Sequence, residues 1–187
     1  MEKMQIDSFV SEERTNDGIV IPTLCHGDTI EQIKLGNEDI SACDGLVTEN
    51  KSLSLGVTTA DCAPICFGDG TKIGIAHIGW RGLCLGLIEK MCTEFDTEKL
   101  EVFVGPHLHS FEVQKDFCYE AIVGKFGEDF FTLENGKITF RFKDALVSLL
   151  PINTIFDGRN TEEDTSLPSH RRNKTNERIV TVVEFKK

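Results

Sequence analysis

Short apolar runs separated by glycine and aspartate turns fill much of the chain, a pattern typical of β-strands. The run APICF, the turn GDG and the run IGIAHIG predict a β-hairpin over residues 63–79. Further strands are predicted, in chain order, in DGIVIPTLCHGDTI, DGLVTEN, LSLGVTTADC, LEVFVGP and ERIVTVVEF. Residues 1–14 are mostly polar, and we expect them to be weakly structured.

The apolar spacing changes to steps of three and four after residue 82, which predicts one helix with a buried face formed by Cys84, Ile88, Met91 and Phe95. Two more helices are predicted in QKDFCYEAIVGKF and FRFKDALVSLL, the second ending before Pro151. This mixture of strands, hairpins and helices favours an α+β or layered α/β fold, with mixed β-sheets packed against helices. We expect a single domain over residues 1–187.

The charge of the chain restricts its partners. Lysine and arginine number 20 against 31 aspartate and glutamate residues, a net charge of −11. This argues against nucleic acid or an anionic membrane as a partner, although a local basic pocket would still accept a small phosphate. The sequence has no apolar leader and no run of about 18 apolar residues, which predicts neither a signal peptide nor a membrane span. Seven cysteines without framework spacing indicate reduced thiols, so we expect a cytoplasmic location.

Candidate chemistry gathers where predicted strands end. His26, Cys62 and His77 each lie at such an end, so that their side chains can converge at one rim of a sheet. Two imidazoles and a thiolate make a three-ligand zinc set, with a fourth position open to water. The same residues also fit a cysteine nucleophile with a histidine base and no metal. Asp61 is the expected carboxylate partner or proton carrier. The glycines of GDG and GWRG do not form a dinucleotide-binding or P-loop fingerprint.

The neighbouring cysteines and aromatic residues are expected to be structural. Cys25 and His26 are adjacent and would point to opposite faces of a strand, so we assign only His26 to the site. Trp80 is expected to pack and close the pocket. His107 and His109 flank a turn that can reach the mouth of the site, with His109 in an exposed loop. The remaining cysteines are expected in the core, namely Cys66, Cys84, Cys92 and Cys118.

Several motifs occur in a shared order and spacing over roughly residues 20–185: CHGDTI, DGLVT, TTADCAPICFGD, IAHIGWRG, VGPHLHSFEV and SHRR. In these motifs the chain resembles the laccase-domain, or multicopper polyphenol oxidoreductase, family, whose members are also described as purine nucleoside phosphorylases. The resemblance implies a layered sandwich of sheets and helices, akin to certain cysteine-dependent toxin domains. It also implies a metal, usually zinc, bound by His26, Cys62 and His77. The chain is N-terminally short for the family and lacks its usual cysteine near the C-terminal part.

The resemblance implies two reactions on a purine nucleoside. The first is phosphorolysis of adenosine, inosine, guanosine or methylthioadenosine, with phosphate as the second substrate. The second is deamination of adenosine, in which Asp61 would move protons. Because guanidinium groups bind phosphate through paired hydrogen bonds, we expect phosphate at Arg81 and at Arg171 or Arg172. His170, beside them in SHRR, is a further candidate for substrate contact.

Three alternatives remain open. The first is an amide hydrolase in which Cys62 attacks and His77 acts as the base. The second is a copper-dependent phenol oxidase, which we disfavour because five histidines in the whole chain cannot fill a multicopper cluster. The third is a module that binds a metal without catalysis.

Overall fold

The computed structural model describes residues 3–11 and 18–186. Within those ranges seven strands precede the first helix, and groups of helices and strands follow. Their bounds are β1 Met4–Ser11, β2 Ile19–Val20, β3 Ile30–Gln32, β4 Gly45–Thr48, β5 Ser54–Thr59, β6 Ala63–Gly68, β7 Ile73–Ile78, α1 Trp80–Cys84, α2 Leu87–Thr93, β8 Glu101–Val104, β9 Phe111–Val113, α3 Phe117–Phe126, a 3-10 turn Glu128–Phe130, β10 Phe131–Glu134, β11 Lys137–Phe140, α4 Phe142–Leu149, β12 Ile155–Phe156, α5 His170–Asn173 and β13 Arg178–Phe185.

Two sheets form the body of the fold. The first has the strand order β12-β8-β6-β7-β4-β3, and the second has the order β1-β13-β5-β2. Strands β4, β6 and β7 are buried at every position, as expected for a sheet covered on both faces. A small third sheet, β10-β11-β9, packs with the helices on the other side of the first sheet. Mixed sheets with helices are therefore confirmed.

Alternation along β7 separates two hydrophobic cores. Ile73 and Ile75 point toward the second sheet, where they pack with Leu55 and Val183. Residues of the opposite face, such as Ile78, pack against the helices and the small sheet. This alternation also puts His77, two residues beyond Ile75, on the face toward the second sheet.

Three of the sequence predictions need correction. Met4–Ser11 is a full strand paired with β13 over its whole length, because its half-buried positions cover the edge of the second sheet. Residues 1–2 and 12–14 lie outside the described ranges. The single helix predicted after residue 82 is two short helices, since the chain turns through a left-handed Gly86 at φ 84°. The long strand predicted over residues 17–30 is limited to Ile19–Val20 and to Ile30, where β3 begins.

The small sheet was missed, although the sequence carries a signal for it. Strands β10 and β11 form a hairpin around Asn135 and Gly136, both at positive φ. An Asn-Gly pair between alternating apolar residues is a strong hairpin signal. In the described residues, no helix has the length and apolar character needed to cross a membrane.

Alanine substitutions at two glycines are expected to change the stability of the fold in opposite directions. A Cβ at Gly74 in β7 would lie 2.9 Å from both the Leu46 carbonyl oxygen and the Phe95 ring, whereas one at Gly124 in α3 would meet nothing within 4 Å. We expect Gly74→Ala to lower the free energy of unfolding by about 1–3 kcal/mol, because the packed layer must shift. We expect Gly124→Ala to raise it by roughly 0.5–1 kcal/mol, through better helix propensity. Urea denaturation measures both, and equal effects would contradict the packing described here.

Candidate functional site

The candidate site lies at the rim where the chain crosses between the two large sheets. The loop from β2 to β3 carries His26, and the link from β5 to β6 carries Cys62; each segment leaves the second sheet and enters the first. His77 is the penultimate residue of β7. The three predicted side chains therefore meet because two crossovers pass the end of one buried strand.

The three side chains form a compact group. One potential ligand atom from each of His26, Cys62 and His77 lies within 4.8 Å of the other two. The two imidazole rings meet edge to face, with their centroids 4.7 Å apart. A Cβ at the adjacent Gly79 would lie 3.2 Å from both the Cys62 sulfur and the His26 ring. The group can bind a metal ion, and the missing side chain at Gly79 leaves space beside it.

A buried carboxylate, Asp44, orients this group. Its oxygens accept hydrogen bonds from the backbone N–H groups of Cys25 at 3.1 Å, His26 at 3.0 Å and Gly27 at 2.9 Å. The same carboxylate lies 2.8 Å from Nδ1 of His77. When Nδ1 donates to a carboxylate, the Nε2 lone pair is free to act as a ligand or base.

Charge is shared within this cluster. Burial raises the pKa of Cys62, but hydrogen bonds from His26 and His77 outweigh it and bring the pKa to about 6. Burial lowers the pKa of His77, but its hydrogen bonds to Asp44 and Cys62 outweigh that and raise the pKa to about 9. Hydrogen bonds from His77, Cys25 and Gly27 overcome burial and hold the pKa of Asp44 well below its ordinary value. The geometry thus favours a thiolate at Cys62.

The partner of His77 is Asp44 and not the predicted Asp61. One oxygen of Asp61 accepts a hydrogen bond from the Thr161 hydroxyl at 2.8 Å, and the other accepts one from the Arg171 backbone N–H at 2.7 Å. Asp61 has a left-handed backbone, with φ of 92°. Its contacts tie the residue before Cys62 to two distant segments. Asp61 is therefore placed to position the site. Asp44 was missed, although the carboxylate at the start of the apolar run DGLVT was a usable signal.

A cavity of about 700 Å³ adjoins the three side chains and is lined by all of them. Arg171 and Arg178 form the cationic part of its wall, which also carries His170, Asp61 and the Cys62 thiolate. Arg178 was missed in the sequence analysis. It is the first residue of β13, and that segment was interpreted only as an apolar strand. A cationic wall in a chain of net charge −11 marks this cavity as suited to an anion.

The predicted arginines separate into different environments. Arg81 is exposed, with its guanidinium 5.2 Å from the centre of the Trp80 ring. It does not line this cavity, nor a smaller cavity that adjoins it on the side of the helices. The Arg172 guanidinium, contrary to the expectation of phosphate contact, donates to backbone carbonyls of the preceding loop, namely those of Thr161, Glu162, Asp164 and Leu167. Of the three, Arg171 is the one that lines the cavity.

The other cysteines and Trp80 were expected to be structural residues. Cys66 is fully buried between the two large sheets, and Cys84, Cys92 and Cys118 are partly buried against the other core. The exposed Cys25 thiol donates to Asp44 at 3.0 Å. Trp80 packs against the core and also lines the cavity.

His107 does not reach the mouth of the site. It is fully buried, with its Nδ1 2.8 Å from the Gly105 carbonyl and its ring packed against Phe142 and Phe156. Its Nε2 atom has no hydrogen-bond partner within the described ranges. Burial lowers the pKa of His107 to about 4. His109 is half-buried, less exposed than expected.

Comparison with known proteins identifies the family. A model of the family described as multi-copper polyphenol oxidoreductase laccase matches residues 6–186. The chain belongs to this laccase family. It is 35% identical over 175 residues to a protein of Aquifex aeolicus named purine nucleoside phosphorylase, an alignment that covers 88% of this chain and 82% of that protein. It is 28% identical over 173 residues to purine nucleoside phosphorylase YfiH of Escherichia coli, covering 84% and 70%.

Solved structures of other proteins share the fold. The YfiH protein of Bacillus licheniformis superposes with a TM-score of 0.77 at 22% identity, covering 90% of this chain and 74% of its own. Protein NMB0706 of Neisseria meningitidis superposes with a TM-score of 0.80 at 21% identity, covering 90% and 75%. The layered fold expected from the sequence is therefore confirmed.

Burial of His107 makes stability depend on pH. Its folded pKa of about 4 lies below the ordinary 6.5, so its contribution is complete above pH 6.5 and is lost as the pH falls toward 4. Between about pH 7.5 and about pH 5, we expect the wild type to lose about 2 kcal/mol of unfolding free energy that a His107→Asn variant does not lose. Urea denaturation at both pH values measures this. An identical pH dependence in the two proteins would show that the pKa of His107 is the same in the folded and unfolded states.

Proposed function

We propose that this chain is a zinc-dependent purine nucleoside phosphorylase that acts at the cavity beside His26, Cys62 and His77. The observation that carries the proposal is that group itself, two imidazoles and a thiolate within 4.8 Å of one another, opening on a cavity with a cationic wall. Relatives that bear the name purine nucleoside phosphorylase support the choice of reaction.

The residues fit a zinc ion. Zinc binds imidazole nitrogen and thiolate sulfur, and a catalytic zinc site has three protein ligands and one position open for a reactant. The space beside Gly79 provides that opening, and Asp44 holds His77 as carboxylates hold zinc-binding histidines. When bound, zinc would supply a Lewis acid that polarises an atom of the substrate.

The cationic wall suits the second substrate. In phosphorolysis the C1′–N9 bond of the nucleoside breaks, a phosphate oxygen bonds to C1′, and the purine leaves with the proton that hydrogen phosphate gives up. Arg178 and His170, which line the cavity, would bind the phosphate, and the confined cavity would hold it against C1′. Nη1 of Arg178 donates to the backbone carbonyls of Thr175 and Glu177, so its other guanidinium nitrogens would make this contact. The products are the free base and ribose 1-phosphate.

Phosphorolysis suits the site better than deamination does. Deamination needs a carboxylate that exchanges protons with the attacked ring. Among the described lining residues the acidic one is Asp61, and both of its oxygens already accept hydrogen bonds. Asp44 is fully buried behind His77. Neither carboxylate is free to move a proton to a nucleoside.

A second candidate function is a cysteine-dependent amide hydrolase. The observation that favours it is the sequence of contacts from Asp44 through His77 to Cys62, which is the order of acid, base and nucleophile in a catalytic triad. In this alternative Cys62 would attack an amide carbonyl and no metal would be needed. His26 would then be dispensable.

Phosphate-dependent release of hypoxanthine from inosine tests the proposed function. We expect the purified protein to contain one zinc per chain, to turn over inosine only with phosphate, and to lose activity on chelation and regain it with zinc. Elemental analysis and chromatography of the products provide the measurements. Phosphate-independent loss of ribose, or full activity after zinc removal, would contradict the proposal.

A single substitution at His26 separates the two candidate functions. Asn tolerates the left-handed backbone at this position, where φ is 59°, so His26→Asn should fold normally. In a zinc enzyme the loss of one ligand should lower kcat/KM by at least about 100-fold, whereas a Cys62–His77 hydrolase should retain most of its activity. Asn135→Ala, at a left-handed position away from the site, is the control for losses of activity that come from substitution and purification alone.

Substitution of Asp44 tests the carboxylate that orients the site. We expect Asp44→Asn to weaken zinc binding by about 10–100-fold, since it loses the charge that holds His77. Asp69→Asn is the matched control, because Asp69 is also buried and accepts backbone N–H groups but lies in a distant turn. Competition with a chromophoric chelator measures both affinities. Equal weakening in the two variants would indicate that Asp44 acts only through the stability of the fold.

A further inference from the structure

A second, smaller cavity adjoins the candidate site on the side of the helices. It has a volume of about 80 Å³, against about 700 Å³ for the main cavity. Trp80, Leu108, Phe111 and Phe142 give it an apolar lining, and we call it the aromatic slot. The slot and the main cavity share Cys62 and Gly79, together with Trp80, Asp61 and Arg171. They are therefore two compartments that meet at the Cys62 thiolate.

Arg171 stands at the boundary between the two compartments. Its guanidinium carbon lies 4.6 Å from the centroid of the Phe111 ring, and its backbone N–H is held by Asp61. Within the ranges that the structure describes, its guanidinium has no ion pair or hydrogen bond to another side chain. A guanidinium stacked on an aromatic ring, with its N–H groups unused, is preorganised to contact a polar planar ligand.

We propose that the aromatic slot takes the purine base, with the ribose and phosphate in the main cavity; this inference rests on the proposed function. The slot is too small for a whole nucleoside, so only the edge of a planar ring enters it. Aromatic side chains and guanidinium planes are the surfaces on which nucleobases stack. Arg171 contacts the base and donates a hydrogen bond to it as negative charge develops on the departing purine.

The placement gives each compartment a separate chemical role. Trp80, Phe111 and Arg171 recognise the base, whereas Arg178 and His170 face the anionic part of the reactants. The Asp61 carboxylate contributes by fixing the Arg171 backbone and not by proton transfer. Specificity for an aromatic leaving group thus resides in the slot, apart from the metal-binding group.

The indole provides a direct test, because Trp80 is the single tryptophan of the chain. The zinc-loaded protein is titrated with hypoxanthine and with inosine in phosphate-free buffer, so that no turnover occurs. Ribose 5-phosphate is the third ligand, and N-acetyltryptophanamide corrects for purine absorbance. We expect a saturable change of Trp80 emission with hypoxanthine and inosine, and a clearly smaller one with ribose 5-phosphate, because the indole also borders the main cavity. An equal response to ribose 5-phosphate would overturn the assignment.

Two phenylalanines near the indole give matched variants. Phe111 lines the slot, whereas the exposed Phe117 contacts Trp80 from outside both cavities, with ring centroids 5.9 Å apart. We expect Phe111→Leu to raise the apparent Kd for hypoxanthine about tenfold, and Phe117→Leu to change it less than about twofold. Arg171→Gln, a substitution at an exposed residue that should not affect folding, is expected to raise the Kd as well. Equal effects of the two phenylalanine variants would overturn the proposal.

Turnover in the same preparations distinguishes this inference from the proposed function. Phosphorolysis of inosine without any purine-induced change at Trp80 would overturn the slot assignment and leave the function standing. A saturable purine response without phosphorolysis would support the slot and contradict the function.

Discussion

The buried carboxylate of Asp44 is the constraint on which the candidate site depends. It accepts hydrogen bonds from three successive backbone N–H groups of one loop and lies against the ring of His77. A buried charge is tolerated only with such partners, so the loop and the strand end are held together. The left-handed backbone of His26 is maintained by the same contacts. Two of the three candidate metal ligands, His26 and His77, therefore take their positions from one residue.

The sequence allowed much of the fold to be predicted where the apolar pattern was strong. The β6–β7 hairpin and the helices α3 and α4 follow directly from local periodicity. The pattern failed at β1, whose half-exposed positions look polar because only one face of an edge strand packs. It also failed at Gly86. The left-handed backbone of Gly86 separates two helices, although the three- and four-residue spacing of apolar residues continues across it.

The convergence of the candidate metal ligands was predictable, but the residues that support them were not. His26, Cys62 and His77 could be recognised because rare side chains occurred at strand ends. The assignment of Asp61 as the partner of a histidine failed because adjacency to Cys62 in sequence does not decide which carboxylate reaches an imidazole. The role of Arg172 in binding loop carbonyls depends on the path of residues 161–169, which has no periodicity to read.

The absent side chain at Gly79 has a consequence for how this site can diverge. Its backbone is extended and any residue could adopt it, so glycine is required here by space alone. A methyl group would press on both the thiolate and one imidazole while leaving the sheets untouched. Alanine at this point would therefore shift the Cys62 thiolate and the His26 ring by a few tenths of an ångström, without requiring the sheets to move. Divergence here would thus alter the reactivity of the site before the stability of the fold.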